Sequence, residues 1–196
     1  MKRLVWLVIV ACVVAGGVVV WKRTEQAAAG YASYVSTRLK VQLQYPAGWR
    51  LMELEKPQGR QMGEVQIFGP RSQDLQYSPY LDVTAEGAAT PSGVVPTLAD
   101  AVQAVVLRRL RQRTYQTAGQ ADVRCAGAPA IRVVANYELR LPVQSAKPKT
   151  VAFREVNCYV LRGSQLYILT YAAPAEDAPK HQVAFEHLVK TLKFVP

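Results

Sequence analysis

An α+β fold, with one antiparallel sheet flanked by helices and a single membrane helix before it, follows from three observations in this 196-residue sequence. Residues 4–21 are apolar without a break. Most of the chain after residue 37 alternates apolar and polar residues with the period of a half-buried strand. Two stretches, 97–113 and 179–192, carry apolar residues at helical spacing instead, one amid the strands and one after them.

Composition narrows the class before any element is placed. Half the residues are apolar and 19% are charged, which is too apolar for a disordered chain. The 12 Gly and 12 Pro follow no period, which excludes a fibrous repeat. Three Cys are too few for a disulfide-dense scaffold, and the length suits one domain plus an accessory segment. No C-x-x-C, Cys/His cluster or Gly-rich phosphate loop is present, so no metal or cofactor is expected.

The first element is the N-terminal anchor, residues 1–23. Its apolar run, bracketed by Lys2-Arg3 and Lys22-Arg23, would span about 27 Å as a helix, close to the thickness of a bilayer core. Trp6 and Trp21 suit the two headgroup interfaces. An uncleaved anchor is the favoured reading, because the nearest A-x-A pattern, Ala27-Ala28-Ala29, lies beyond Lys22, Arg23 and Glu25. Cleavage and lipidation at Cys12 are the alternatives; Ile9-Val10-Ala11-Cys12 has the look of a lipobox, but nine apolar residues follow it. A short cytoplasmic N-terminus and an extracytoplasmic domain form the simpler topology.

Residues 24–36 are small and polar and read as a stalk, so the domain is expected over 37–196. Leu39, Val41, Leu43 and Tyr45 alternate with Lys40, Gln42 and Gln44, and Pro46-Ala47-Gly48 turns the chain. Short strands are expected at 49–54, 64–68 and 80–85, then a loop at 86–96. Thr97-Leu98-Ala99-Asp100 has the form of a capping box, opening a helix whose stripe is Ala99, Val102, Val106 and Leu110. Strands at 131–139, 151–161 and 165–172 follow, joined by short connections that require antiparallel pairing. A second helix with Phe185, Leu188 and Leu192 on one face closes the chain.

Four stretches stand out together: Leu39-x-Val41-x-Leu43-x-Tyr45-Pro46-x-Gly48-Trp49, the strand entry Gly127-Ala128-Pro129-Ala130, the strand from Leu166 to Pro174, and the close from Phe185 to Phe194. They resemble the PsbP-like family, named for an extrinsic subunit of the oxygen-evolving photosystem and including many bacterial membrane-anchored or lipid-anchored relatives. The resemblance covers roughly residues 37–196. It implies an antiparallel sheet between helical layers and a non-catalytic role in binding or assembly at a membrane complex. The photosystem subunit supports manganese, calcium and chloride retention, but none of its functional residues matches this chain, so that role is not carried over.

Candidate sites are few. Of the 24 basic residues, four flank the apolar run and four more, Arg108, Arg109, Arg111 and Arg113, end the first helix; the remaining 16 nearly balance 14 acids. Such an arginine group suits an anionic headgroup or carboxylate, while a solvated helix end is the plainer reading. Nucleic acid is not expected, since no stacking platform accompanies the arginines. Cys125 and Cys158 are either a disulfide or two buried thiols. His181 and His187, six apart, do not share a helix face, and Asp177 with His181 suits a surface contact better than a metal. The Tyr-rich stretch 76–80 is either a contact surface or a strand lead-in. No catalytic residues are expected. The expected function is that of a membrane-tethered accessory module binding an envelope protein, with small-ligand binding as the alternative.

Overall fold

The computed structural model describes residues 30–54, 61–89, 92–112 and 114–196. The anchor, most of the stalk and Arg113 lie outside the described residues. In chain order the elements are β1 (Tyr31–Ser36), β2 (Val41–Pro46), β3 (Arg50–Leu54), β4 (Gln61–Phe68), β5 (Tyr80–Gly87), α1 (Leu98–Arg109), β6 (Gln116–Cys125), β7 (Ala128–Leu141), β8 (Lys149–Arg162), β9 (Gln165–Pro174), α2 (Ala178–Thr191) and β10 (Lys193–Phe194).

The strands form two sheets rather than the one expected. Seven strands run β3-β4-β5-β9-β8-β7-β6, every neighbouring pair antiparallel, and β1-β2-β10 make a second, smaller sheet. Successive side chains on a strand point to opposite faces, so each face of the large sheet has its own cover. On one face, α2 and the small sheet bury Leu39, Leu43, Phe185 and Leu188 against Val83, Val156, Leu169 and Tyr171. Each such side chain taken fully from water contributes about 1.5–3 kcal/mol, which makes this layer the main core. On the other face, Ala101, Val102 and Val105 of α1 pack on Ile131, Val133, Tyr159 and Ile168.

Two expectations need correction here. Residues 31–36, read as stalk, form β1, with Ala32, Tyr34 and Ser36 turned inward and buried. The inward polar groups are satisfied by Glu53: Tyr34 donates to its Oε2 and Ser36 Oγ to its Oε1, while Ser36 Oγ also accepts from Leu39 N–H at 3.0 Å. The domain therefore begins at or before Tyr31. The second correction is β6, a long edge strand where no strand was expected; its residues are mostly exposed on both faces, so it carries no apolar alternation.

The first helix is capped as its sequence predicts, Thr97 Oγ1 accepting from Asp100 N–H at 3.2 Å. It ends at Arg109 rather than at 113, and its buried stripe is Ala101, Val102 and Val105 while Ala99 and Leu110 are exposed. At Gly63 of β4 an added Cβ would sit 2.9 Å from Leu39, so glycine is what lets the turn after β1 settle against the large sheet.

Candidate functional site

The end of α1 is where the expected arginine group falls, and the fold splits it. Arg109 lies against the sheet, its Nη1 at 2.9 and 3.0 Å from the two oxygens of Glu155 on β8. Burial opposes the guanidinium charge, but the Glu155 carboxylate beside it outweighs that and holds the group more firmly protonated than usual. Arg108 turns the other way and pairs with Glu86 at 2.5 Å. Arg111 is exposed. Of the three described arginines, two thus spend their charge on internal carboxylates, and these three do not converge on one point.

Glu155 is the hub of a buried polar network that sequence reading did not find. Its Oε1 also accepts from Tyr115 O–H at 3.2 Å and from Asn157 Nδ2 at 2.6 Å, and Thr170 Oγ1 donates to Asn157 Oδ1 at 2.7 Å. Glu155, Asn157 and Thr170 are all buried. The register extends the row: Asn157 faces Thr170, Thr170 faces Asp82 and Asp82 faces Gln66 across successive strands. Asp82 Oδ1 is buried without a hydrogen-bond partner. Burial, and then the nearby Glu64 charge, raise its carboxyl well above the ordinary range.

Beside this row runs a ladder of rings. Tyr115 stacks near Tyr137 at 6.2 Å, Tyr137 on Phe153 at 5.4 Å, and Tyr77 meets Phe153 edge-on at 4.7 Å. Tyr77, from the Tyr-rich stretch, therefore packs inward, with its hydroxyl buried. These contacts knit the end of α1 and the loop before β5 onto the sheet.

Among the hollows on the surface of the described residues are two of ligand size. One, of about 410 Å³, lies between α1 and the end of β5; small residues including Ala88, Ala101, Ala104 and Pro96 line it, with Arg108 and Glu86 at one wall. Val95 and Leu107, each next in sequence to a lining residue, are 46% and 55% exposed. The other, of about 770 Å³, lies between the end of α2, β10, the end of β8 and the β6–β7 turn.

The remaining candidates settle plainly. Cys125 and Cys158 are free and buried, on β6 and β8 with β7 between them, and Cys125 Sγ donates to Val189 O at 3.7 Å. The Cys125 and Cys158 side chains also hydrogen-bond to each other, each acting on the other's pKa. His187 stacks on Tyr31 with centroids 3.6 Å apart and sits 3.0 Å from Gln44 Oε1, while His181 meets Trp49 edge-on at 5.8 Å. Among the described residues no group of three or more His, Cys, Asp or Glu is placed to hold a metal ion. Among the same residues no helix is long and apolar enough to cross a membrane, and the apolar run 4–21 lies outside them.

Two helices on opposite faces of a seven-stranded antiparallel sheet, with a small sheet beside the second helix, make an α+β fold of the kind the resemblance implies. The comparison with solved structures agrees. The chain is similar to the cyanobacterial PsbP protein CyanoP from Synechocystis sp. PCC 6803, with a TM-score of 0.52 and 13% identity over 89% of this chain and 98% of that one. A looser likeness, TM-score 0.44 at 12% identity over 80% of this chain and 83% of the other, is to LpqN of Mycobacterium tuberculosis, a protein involved in cell envelope biogenesis. At these identities the likeness establishes the fold. No protein-family model matches the chain, and no curated protein matches it.

Proposed function

We propose that this chain is a non-catalytic accessory module, held at a membrane by residues 4–21, whose extracytoplasmic domain docks on an envelope protein through the hollow between α1 and β5. The observation that carries the reading is the lining of that hollow. Small apolar residues leave room of about 410 Å³, and exposed Val95 and Leu107 stand beside it in sequence. A pocket of this kind accepts an apolar anchor side chain at the centre of an interface, and the Glu86–Arg108 pair supplies a polar margin. The buried carboxylate Glu155, a candidate for acid–base chemistry by its burial alone, is already occupied by Arg109, Tyr115 and Asn157.

The second reading is a small apolar ligand in the same hollow, favoured by its volume, which falls within the usual range for small-molecule sites. Cross-linking of the full chain in its native membrane separates the two. Ala104 is exposed and lines the hollow, so Ala104→Trp fills it without disturbing the core. One envelope protein recovered with the wild-type chain, and lost with Ala104→Trp, supports docking. Recovery no better than with residues 1–23 alone overturns docking and directs attention to extraction of a bound small molecule.

A further inference from the structure

The larger hollow, of about 770 Å³, differs in chemistry from the one at α1. Three cations line it: Arg162 at the end of β8, Lys190 in the last turn of α2, and Lys193 on β10. No carboxylate is among its lining residues. The ion pairs of the described residues join Arg108 to Glu86, Arg109 to Glu155 and Arg132 to Glu186, and leave these three cations out. All three are exposed, so their charge is available to a visitor. They come from separate elements, and no run in the sequence announces them.

The position of one cation is fixed in advance. The Arg162 guanidinium lies over the Phe194 ring, 4.7 Å from its centroid, and that ring is wedged edge-on against Tyr167 at 4.8 Å. Tyr167 is itself held, its hydroxyl donating to Leu39 O at 3.1 Å. A stacked guanidinium loses less side-chain freedom when it binds, and its planar fork suits two oxygens of a tetrahedral anion. Lys190 and Lys193 add compact charges, and the half-buried Phe194, Ala126 and Ala128 supply an apolar wall. The end of α2 gives Lys190 a dipole to complement, but Lys193 and Arg162 lie beyond that helix and have no such partner.

We infer that this cleft binds a phosphate group carrying an apolar substituent, with Arg162 and the two lysines on the phosphate and the wall of Phe194, Ala126 and Ala128 on the substituent. The chemistry is shared by an anionic lipid headgroup and by a free phosphorylated metabolite. This inference is independent of the docking reading, which concerns the other side of the molecule.

The test is calorimetric titration of the full chain in zwitterionic nanodiscs. The probes are short-chain phosphatidic acid below its micellar concentration, inorganic phosphate, and short-chain phosphatidylcholine as a control for tail and phosphodiester together. Saturable binding of the phosphatidic acid is expected, weakened at least about tenfold by Arg162→Gln and likewise by Lys190→Gln with Lys193→Gln. Arg111→Gln removes an exposed charge elsewhere and should leave it unchanged. Inorganic phosphate binding nearly as tightly points to a free metabolite as the source, and a strong preference for the lipid probe points to headgroups. Absence of saturable binding by both anions overturns the inference, as does equal weakening by Arg111→Gln, which would mean charge attraction without a site.

Discussion

Arg109 Nη1 touches both carboxylate oxygens of Glu155, and through that one contact the last turn of α1 is tied to the middle of the large sheet. The carboxylate is 3% exposed and the guanidinium 30%. Removing one partner of a buried pair leaves the other charge desolvated, at a cost of about 3 kcal/mol. Arg109→Ala is therefore expected to lower the urea midpoint of the full chain in mild detergent far more than Arg108→Ala, whose pair is half-exposed and worth under about 1 kcal/mol. Replacing both Arg109 and Glu155 by leucine should recover most of the loss. Equal effects of the two single alanine variants would show that Glu155 does not depend on Arg109.

Asp82 presents the opposite case, a buried carboxyl oxygen without a partner. Its raised pKa means that the folded chain holds the proton more tightly than the unfolded chain does. Stability from this group is thus present at low pH and is lost as pH rises through and above the ordinary carboxylate range. Asp82→Asn keeps the shape and removes the titration. The variant should match wild type near about pH 4 and be the more stable near about pH 8, read from denaturation midpoints at the two pH values. A wild-type advantage near pH 8 would show that the ionised carboxylate has a partner in the fold.

His187 gives a pH dependence of the other sign. Burial, and then the Lys190 charge, lower its pKa, so folding disfavours the imidazolium. The contribution is fully present above the ordinary imidazole pKa of about 6.5 and is lost as pH falls through the lowered value. A nuclear magnetic resonance titration of the His187 ring should therefore give a midpoint below that of a free histidine. Tyr31→Ala, which uncovers the ring, should move it back upward, and an unmoved midpoint would count against the stacking.

The two thiols are buried side by side. Both are free, and the hydrogen bond between their side chains raises the pKa of the Cys125 thiol and lowers that of Cys158. In a Cys12→Ser chain, a bulky thiol reagent should label neither Cys125 nor Cys158 before denaturation and both after it, even when no reductant has been used. Loss of both labels in the unreduced sample would demonstrate a bridge.

How far the sequence could be read depended on where each residue's partner comes from. The alternation around Val41, Leu43 and Tyr45 made β2 plain, because its buried face is apolar throughout. In β1 the inward positions include Ala32 and Ser36, small or polar groups that Glu53 makes tolerable, so a strand looked like a stalk. Along β6 an edge position leaves Gln120 and Asp122 as comfortable as valine would be, which erases the period. The arginine group was visible as a run. Its division between Glu86 and Glu155 was not, since those acids lie 22 and 46 residues away along the chain. The cationic cleft, gathered from three elements, had no local signal at all.

The small sheet also sets a distance. Tyr31, where the described domain begins, pairs with Pro46 at one end of β2, and Phe194 pairs with Val41 at the other. Five strand steps separate those ends, about 17 Å. β2 thus acts as a ruler between the point where the chain enters the domain and the ring that carries Arg162. Whatever is held beside Phe194 stands one strand's length from that entry, and a longer or shorter leader changes its reach without changing that offset.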